Sequence, residues 1–233
     1  MQRFQKLTFP ALCLCLIFAL TGCSPVAADE APPPTTAPTQ EPAPLVQPVA
    51  AAVTPAPAET SVLVAFFSRA GVNYKVGRVT EGNTALIAAM IADATGGDMF
   101  EILPTAPYSD DFDEASALSL QEQQTNARPA YVGDVENWEQ YDTVFLGYPI
   151  WWGDMPMILY TFLESHDFTG KTVIPFCTHE GSSLAGTVAT VESLCPGAEI
   201  EAGLAVQGER TRTDTAAVEK EVTDFLAGLD LGA

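Results

Sequence analysis

The sequence predicts an α/β domain, a doubly wound five-stranded parallel sheet in the order 2-1-3-4-5. Three observations predict it. Short apolar runs alternate with helical periodicities from residue 61 to the end of the chain. The first run, residues 62–67, is apolar at every position, as a strand covered on both faces requires. The segments between runs are long enough for right-handed crossovers. In such a sheet, ligands sit at the carboxyl ends of the strands, at the switch point between strands 1 and 3.

The elements follow in order. After residues 62–67 comes a polar stretch, 71–82. A helix begins at Thr84, carries Leu86, Ile87, Met90 and Ile91 on one face, and stops at Gly96-Gly97. Residues 99–103 form a second, shorter strand. Residues 113–126 are helical and mostly polar, which places them on the outside. Residues 143–148 are the third strand. Met155, Ile158, Leu159, Phe162 and Leu163 then repeat at the spacing of an amphipathic helix. The fourth strand spans 172–177. Pro175 inside it removes a ladder donor, so a bulge or a missing bond is expected there. Leu184, Val188 and Val191 mark the next helix, 199–206 the fifth strand, and Val218, Val222, Phe225 and Leu226 the last helix.

Residues 1–60 read differently. Arg3 and Lys6 precede an apolar run, 7–20, of signal-peptide length and too short to span a bilayer comfortably. It ends in Leu20-Thr21-Gly22-Cys23, which resembles the lipobox of bacterial lipoproteins. Residues 1–22 are therefore expected to be a lipoprotein signal peptide and Cys23 the lipidated residue. Two or more acyl chains would anchor the protein without a transmembrane helix. Residues 23–60 are rich in Pro, Ala and Thr, and cannot bury enough apolar surface to fold. They form a disordered tether, semi-rigid at ~3.1 Å per residue, and on the order of 100 Å long. The globular domain is 61–233. The expected location is the cell envelope, outside the cytoplasm.

The formal charge is −20, and −22 once Arg3 and Lys6 leave with the signal. Such an acidic surface argues against nucleic acid and against docking on anionic lipid, leaving the lipid anchor as the only membrane contact. Of five cysteines, Cys177 and Cys195 fall in the globular domain. They end a strand and its crossover helix, so they lie at opposite edges of the sheet, too far apart for a disulfide.

Three strand-end loops meet at the switch point. The first is Ser68-Arg69-Ala70-Gly71 with Gly82-Asn83-Thr84 at a helix start. Helix N-termini favour anions, and Ser68 and Thr84 add hydroxyls, with Asn83 as N-cap. The second is Pro149, Ile150, Trp151, Trp152 and Gly153, whose tryptophans offer flat walls for a planar group. The third is Thr178, His179, Glu180, Gly181, Ser182 and Ser183, small and polar. There is no Gly-Lys-Ser/Thr of a Walker loop and no Gly-x-Gly-x-x-Gly. Gly181-Ser182-Ser183-Leu184-Ala185 is one residue from a nucleophile elbow. That elbow needs its His after the Ser, and His166 and His179 both precede it. Two histidines supply no recognisable zinc set. A phospho-acceptor receiver domain would place acidic residues after strands 1 and 3, where Ser68 and Pro149 stand.

At these residues the chain resembles the flavodoxin superfamily. The resemblance is carried by Val64-Ala65-Phe66-Phe67-Ser68-Arg69, Gly82-Asn83-Thr84, Phe100-Glu101-Ile102, residues 141–153 and Pro175-Phe176-Cys177-Thr178-His179-Glu180-Gly181-Ser182-Ser183. It implies a flavodoxin-like fold and one non-covalent flavin mononucleotide, FMN. Ser68, Arg69, Asn83 and Thr84 would hold its phosphate. Pro149 to Gly153 would pack on the ring, and Thr178 to Ser183 would border its other edge. Residues 72–81 interrupt the phosphate loop, which makes Asn83 and Thr84 better ligands than Arg69. Three functions follow: an electron carrier for a redox partner protein or a small-molecule acceptor, an NAD(P)H-dependent flavin or quinone reductase, and a binding module without redox activity. A location outside the cytoplasm, where reduced nicotinamides are scarce, weighs against the second.

Overall fold

Strands that are apolar on both faces require a helical layer on each side. The computed structural model, which describes residues 61–231, has that arrangement. The expected signal peptide, tether and Cys23 lie outside the described residues. The strands are β1 (Val62–Phe66), β2 (Gly71–Asn73), β3 (Gly77–Val79), β4 (Asp98–Glu101), β5 (Thr143–Pro149), β6 (Thr172–His179), β7 (Glu199–Ile200) and β8 (Leu204–Gln207). The α-helices are α1 (Asn83–Thr95), α2 (Phe112–Gln124), α3 (Met157–Ser165), α4 (Thr187–Leu194), α5 (Arg210–Thr213) and α6 (Thr215–Leu226). The main sheet runs β4-β1-β5-β6-β7, with β8 also paired to β6, and every pairing in it is parallel. Counting β7 and β8 as one interrupted strand, this is the order 2-1-3-4-5.

Strand alternation divides the core in two. Leu63, Ala65 and Phe67 face one side with Val144, Leu146, Tyr148 and the inner face of α3. Val62, Val64 and Phe66 face the other with Phe145, Ile174 and Phe176, and with Ile87, Ala88 and Ile91 of α1 and Val218 and Val222 of α6. Truncating any of the large fully buried side chains to Ala costs roughly 2–5 kcal/mol. At Gly147 the sheet admits no side chain, because a Cβ there would lie 2.1 Å from Phe176 Cζ. Cys177 and Cys195 are free, and burial pushes both thiols up to about 12.

Pro175 explains why the fifth strand is in two pieces. Thr172 N–H donates toward β5, to Asp142 O at 2.8 Å, and Val173 O accepts from Glu201 N–H on the other side at 3.0 Å. Alternation puts the missing N–H of Pro175 on the side of the fifth strand. There the register slips by one: Ile200 pairs with Val173 but Leu204 with Phe176, so three residues oppose two. Gly203 sits in this bulge, where a Cβ would come within 2.9 Å of Pro175 O.

Within the polar stretch, residues 71–79 form an antiparallel hairpin, β2–β3. Gly71, at φ 89°, lies against residue 110 so closely that a Cβ would approach Asp110 O at 2.7 Å.

Candidate functional site

A cleft with a volume of about 330 Å³ opens at the carboxyl ends of β1, β5 and β6. That is where a parallel sheet of this order presents ligands. Its walls come from the three expected loops, from the hairpin that interrupts the first of them, and from α2, which the sequence placed on the outside.

The polar end is built on the start of α1. Its N-cap is Gly82, which makes no side-chain cap bond, and Asn83 is the first helical residue. This corrects the expectation that Asn83 would cap the helix. Gly82 is required because Ser68 is packed against it; a Cβ there would lie 2.2 Å from Ser68 Oγ. Ser68 Oγ accepts from Ala85 N–H at 3.1 Å, tying the end of β1 to the first turn. Thr84 Oγ1 and Thr178 Oγ1 are 2.8 Å apart and both residues are buried. Two hydroxyls sharing one bond leave one proton over. Whichever hydroxyl accepts keeps its own proton to donate to a ligand. The first turn of α1 carries no acidic residue, so the helix does not offset the positive end of its own dipole.

Arg69 lines the cleft but is committed elsewhere. Its guanidinium donates to Ser109 O at 2.7 and 3.1 Å, to Val72 O at 2.8 Å and to Asp111 O at 3.0 Å. Four of its five N–H groups are thus taken by backbone carbonyls. Arg69 clamps the 109–111 segment onto the hairpin, which leaves it one side-chain N–H for a ligand. Desolvation lowers its pKa, against the pull of Asp110 and Asp111.

The aromatic end is the 149–153 loop. Trp151 meets Phe67 and Tyr108 edge-to-face, with ring centroids at 5.4 and 5.2 Å. Trp151 N–H donates to Asp154 O at 2.8 Å, and Asp154 N–H donates back at 3.0 Å. Between them Trp152 and Gly153 have φ 54° and 78°. This is a type I′ turn, with a tryptophan in a conformation that L side chains rarely adopt. Such strain costs on the order of 1–3 kcal/mol and persists only where surroundings hold it. Here Trp152 Nε1 donates to Ser116 O of α2 at 3.0 Å while the residue stays 54% exposed. Gly153 does not itself line the cleft.

The third loop contributes its first half. Thr178, His179 and Glu180 line the cleft; Gly181, Ser182 and Ser183 are exposed and do not. Gly181 N–H donates to His179 Nδ1 at 2.9 Å, so the neutral ring carries its proton on Nε2. Desolvation lowers the His179 pKa, opposed by Glu180 and Glu221. Glu180 Oε1 accepts from Glu209 N–H at 2.9 Å, and its Oε2 lies 3.3 Å from Lys75 Nζ on the hairpin.

Sequence reasoning missed the cleft's outer wall. Tyr74, at the tip of the hairpin, stacks on Phe112 of α2 with centroids 6.0 Å apart, and both line the cleft. The helix α2, expected on the outside, buries Ala115 and Ser119 and closes this wall. Tyr74 was legible only as an aromatic inside a polar insertion.

The residues fit a flat aromatic group that ends in a phosphate. Hydroxyls, an amide and a helix N-terminus stand at one end, and rigid aromatic rings at the other. A family model described as flavodoxin matches residues 61–222. A solved structure from Bacteroides eggerthii DSM 20697, taken to be a flavoprotein, is 33% identical to this chain, with a TM-score of 0.56. The match covers 72% of this chain and 96% of that one. A second, from Bacteroides uniformis ATCC 8492 and likewise taken to be a flavoprotein, is 29% identical with a TM-score of 0.56, covering 72% and 98%. No curated protein matches this chain significantly.

Proposed function

Because this chain belongs to the flavodoxin family, we propose that its cleft binds one FMN and that the protein carries electrons to a redox partner. The observation that carries this reading is the joining, in one cleft, of an α1 N-terminus free of acidic residues and the Trp151–Trp152 wall. When bound, FMN supplies one- and two-electron redox chemistry.

The protein's own part is to bind, orient and shield. The start of α1, the Ser68 hydroxyl and the spare proton of the Thr84–Thr178 pair receive the phosphate oxygens. Asn83 adds its amide. Trp151, braced by Phe67 and Tyr108, holds a flat wall that needs no rearrangement on binding. His179, whose pKa desolvation lowers, offers Nε2–H as an uncharged donor when its ring is neutral. The α2 helix and the hairpin form the outer wall of the cleft through Phe112 and Tyr74.

The location follows from residues 7–23 alone: a lipid on Cys23 and the tether of 23–60 would hold the domain at the envelope. An electron carrier, rather than a reductase, suits that position.

Quenching of ligand fluorescence on titration with the protein tests the binding. FMN should bind at least about tenfold more tightly than riboflavin, since charge-assisted bonds to the phosphate are lost in the latter. Equal affinity for the two would refute the phosphate site. Steady-state consumption of NADH or NADPH by the loaded protein would favour the reductase instead.

A further inference from the structure

The element after the last strand reaches the phosphate end of the cleft from behind. Arg212, on α5, donates from Nε to Asn83 Oδ1 at 3.1 Å, and its terminal nitrogen donates to Glu81 O. Thr211 Oγ1 donates its one proton to Gly208 O at 2.8 Å, and the same oxygen lies 3.3 Å from Asn83 Oδ1. Arg212 is exposed and is not part of the cleft wall, whereas Asn83 is.

The chemistry of these partners fixes the amide. A guanidinium only donates, so the Asn83 atom facing it must be the oxygen. With the Arg212 Nε–H on that oxygen, the NH₂ is held on the other side. It packs beside Gly208, where a Cβ would lie 2.6 Å from Asn83 Nδ2 and 2.9 Å from Glu180 Oε1. Without this bond the amide could turn over and present its oxygen to an anion. We infer that Arg212 is a positioning residue for phosphate recognition: it locks the Asn83 carboxamide so that its NH₂ serves the phosphate of the ligand. The inference rests on the FMN reading above. It assigns Arg212 a role through geometry, not through its charge.

That distinction makes it testable. Lysine keeps the charge but cannot bond two acceptors with a planar fork. FMN and riboflavin affinities are measured by fluorescence quenching for the wild type, Arg212→Ala, Arg212→Lys, Asn83→Ala and the double variant Asn83→Ala/Arg212→Ala, each checked for an unchanged melting curve. Both Arg212 variants should weaken FMN about tenfold, the loss of one oriented bond to an anion, and change riboflavin less than about twofold. In the Asn83→Ala background, Arg212→Ala should add less than about twofold. Tight FMN binding by Arg212→Lys together with weak binding by Arg212→Ala would overturn the inference in favour of charge. A full effect of Arg212→Ala without Asn83 would overturn it too, as would equal losses for FMN and riboflavin. If the wild type binds FMN no better than riboflavin, the phosphate site itself fails. If the wild type prefers FMN and the variants do not differ from it, only the role of Arg212 fails.

Discussion

Removing the hydroxyls of the Thr84–Thr178 pair, one and then both, separates its part in stability from its part in binding. Thr84 is 1% exposed and Thr178 5%, and their oxygens are 2.8 Å apart. Val is close to Thr in shape, so Thr84→Val removes the hydroxyl with little change in packing. It strands the Thr178 hydroxyl, and a buried hydroxyl left without a partner costs about 1–3 kcal/mol. For a domain of this size 1 kcal/mol shifts the melting temperature by roughly 2–4 °C. A mid-range cost of about 2 kcal/mol therefore predicts a fall of about 4–8 °C in ligand-free protein. Replacing both residues by Val leaves no stranded group, so the double variant should melt above the sum of the two single losses. Binding should respond differently: the double variant, which keeps no hydroxyl proton for the phosphate, should weaken FMN more than riboflavin, whereas each single variant still has one hydroxyl to donate. The assay is thermal melting by far-UV circular dichroism, followed by ligand titration of each variant. Additive losses in melting temperature would show that the two hydroxyls do not form a coupled pair. Equal weakening of FMN and riboflavin would show that the pair does not face the phosphate.

Four further outcomes are expected. Gly147→Ala drives a Cβ to 2.1 Å from the buried Phe176 ring and should cost about 3 kcal/mol; a Phe176→Leu second change should restore part of it in urea melts, and no recovery would place the strain elsewhere. His179 holds a lowered pKa through desolvation, so the unfolded chain takes up the proton first; stability should be lost as pH falls from about 7.5 through the ordinary value of 6.5, and the difference between wild type and His179→Gln should show that slope. Glu101 and Glu122, both raised by desolvation, work in the opposite direction at lower pH, so identical pH profiles for wild type and variant would rule out the His179 contribution. Trp152→Asn should keep or raise the melting temperature, because Asn suits the left-handed turn position, yet weaken FMN about tenfold; a stable variant with unchanged affinity would remove Trp152 from the site. Cys23→Ser should release the protein from the membrane fraction or block its processing, and a variant that fractionates and migrates like the parent would refute the lipid anchor.

Much of the fold was legible because it depends on patterns that repeat. β1, β5 and β6 are apolar on both faces, and α3 carries a clear apolar stripe, so periodicity alone locates them. Pro175 announced a fault in the ladder because a missing donor must leave a mark. What periodicity could not give was the response of the partner strand, which slipped one residue and split into β7 and β8. The same limit applies at the cleft. Asn83 reads as a cap by residue type, but Ser68 occupies the space in front of Gly82 and takes the first-turn bond to Ala85 instead. Arg69 reads as an anion ligand by residue type, but no local pattern shows that carbonyls of the 109–111 segment, some 40 residues away in sequence, take three of its donors. Helix α2 reads as an outer helix because its composition is polar, yet a polar helix can wall a cleft where Ala115 and Ser119 face inward. The Arg212–Asn83 bond joins residues 129 apart, and no local pattern marks it.

The most direct test of the account is the visible spectrum of the purified protein, followed by extraction of any chromophore. The account predicts absorption bands of oxidised flavin near one equivalent per chain, restored by FMN after removal, with FMN as the extracted species. A protein that stays colourless in excess FMN while melting cooperatively would contradict it, since the folded cleft would then be present and the ligand it was read to hold would not bind.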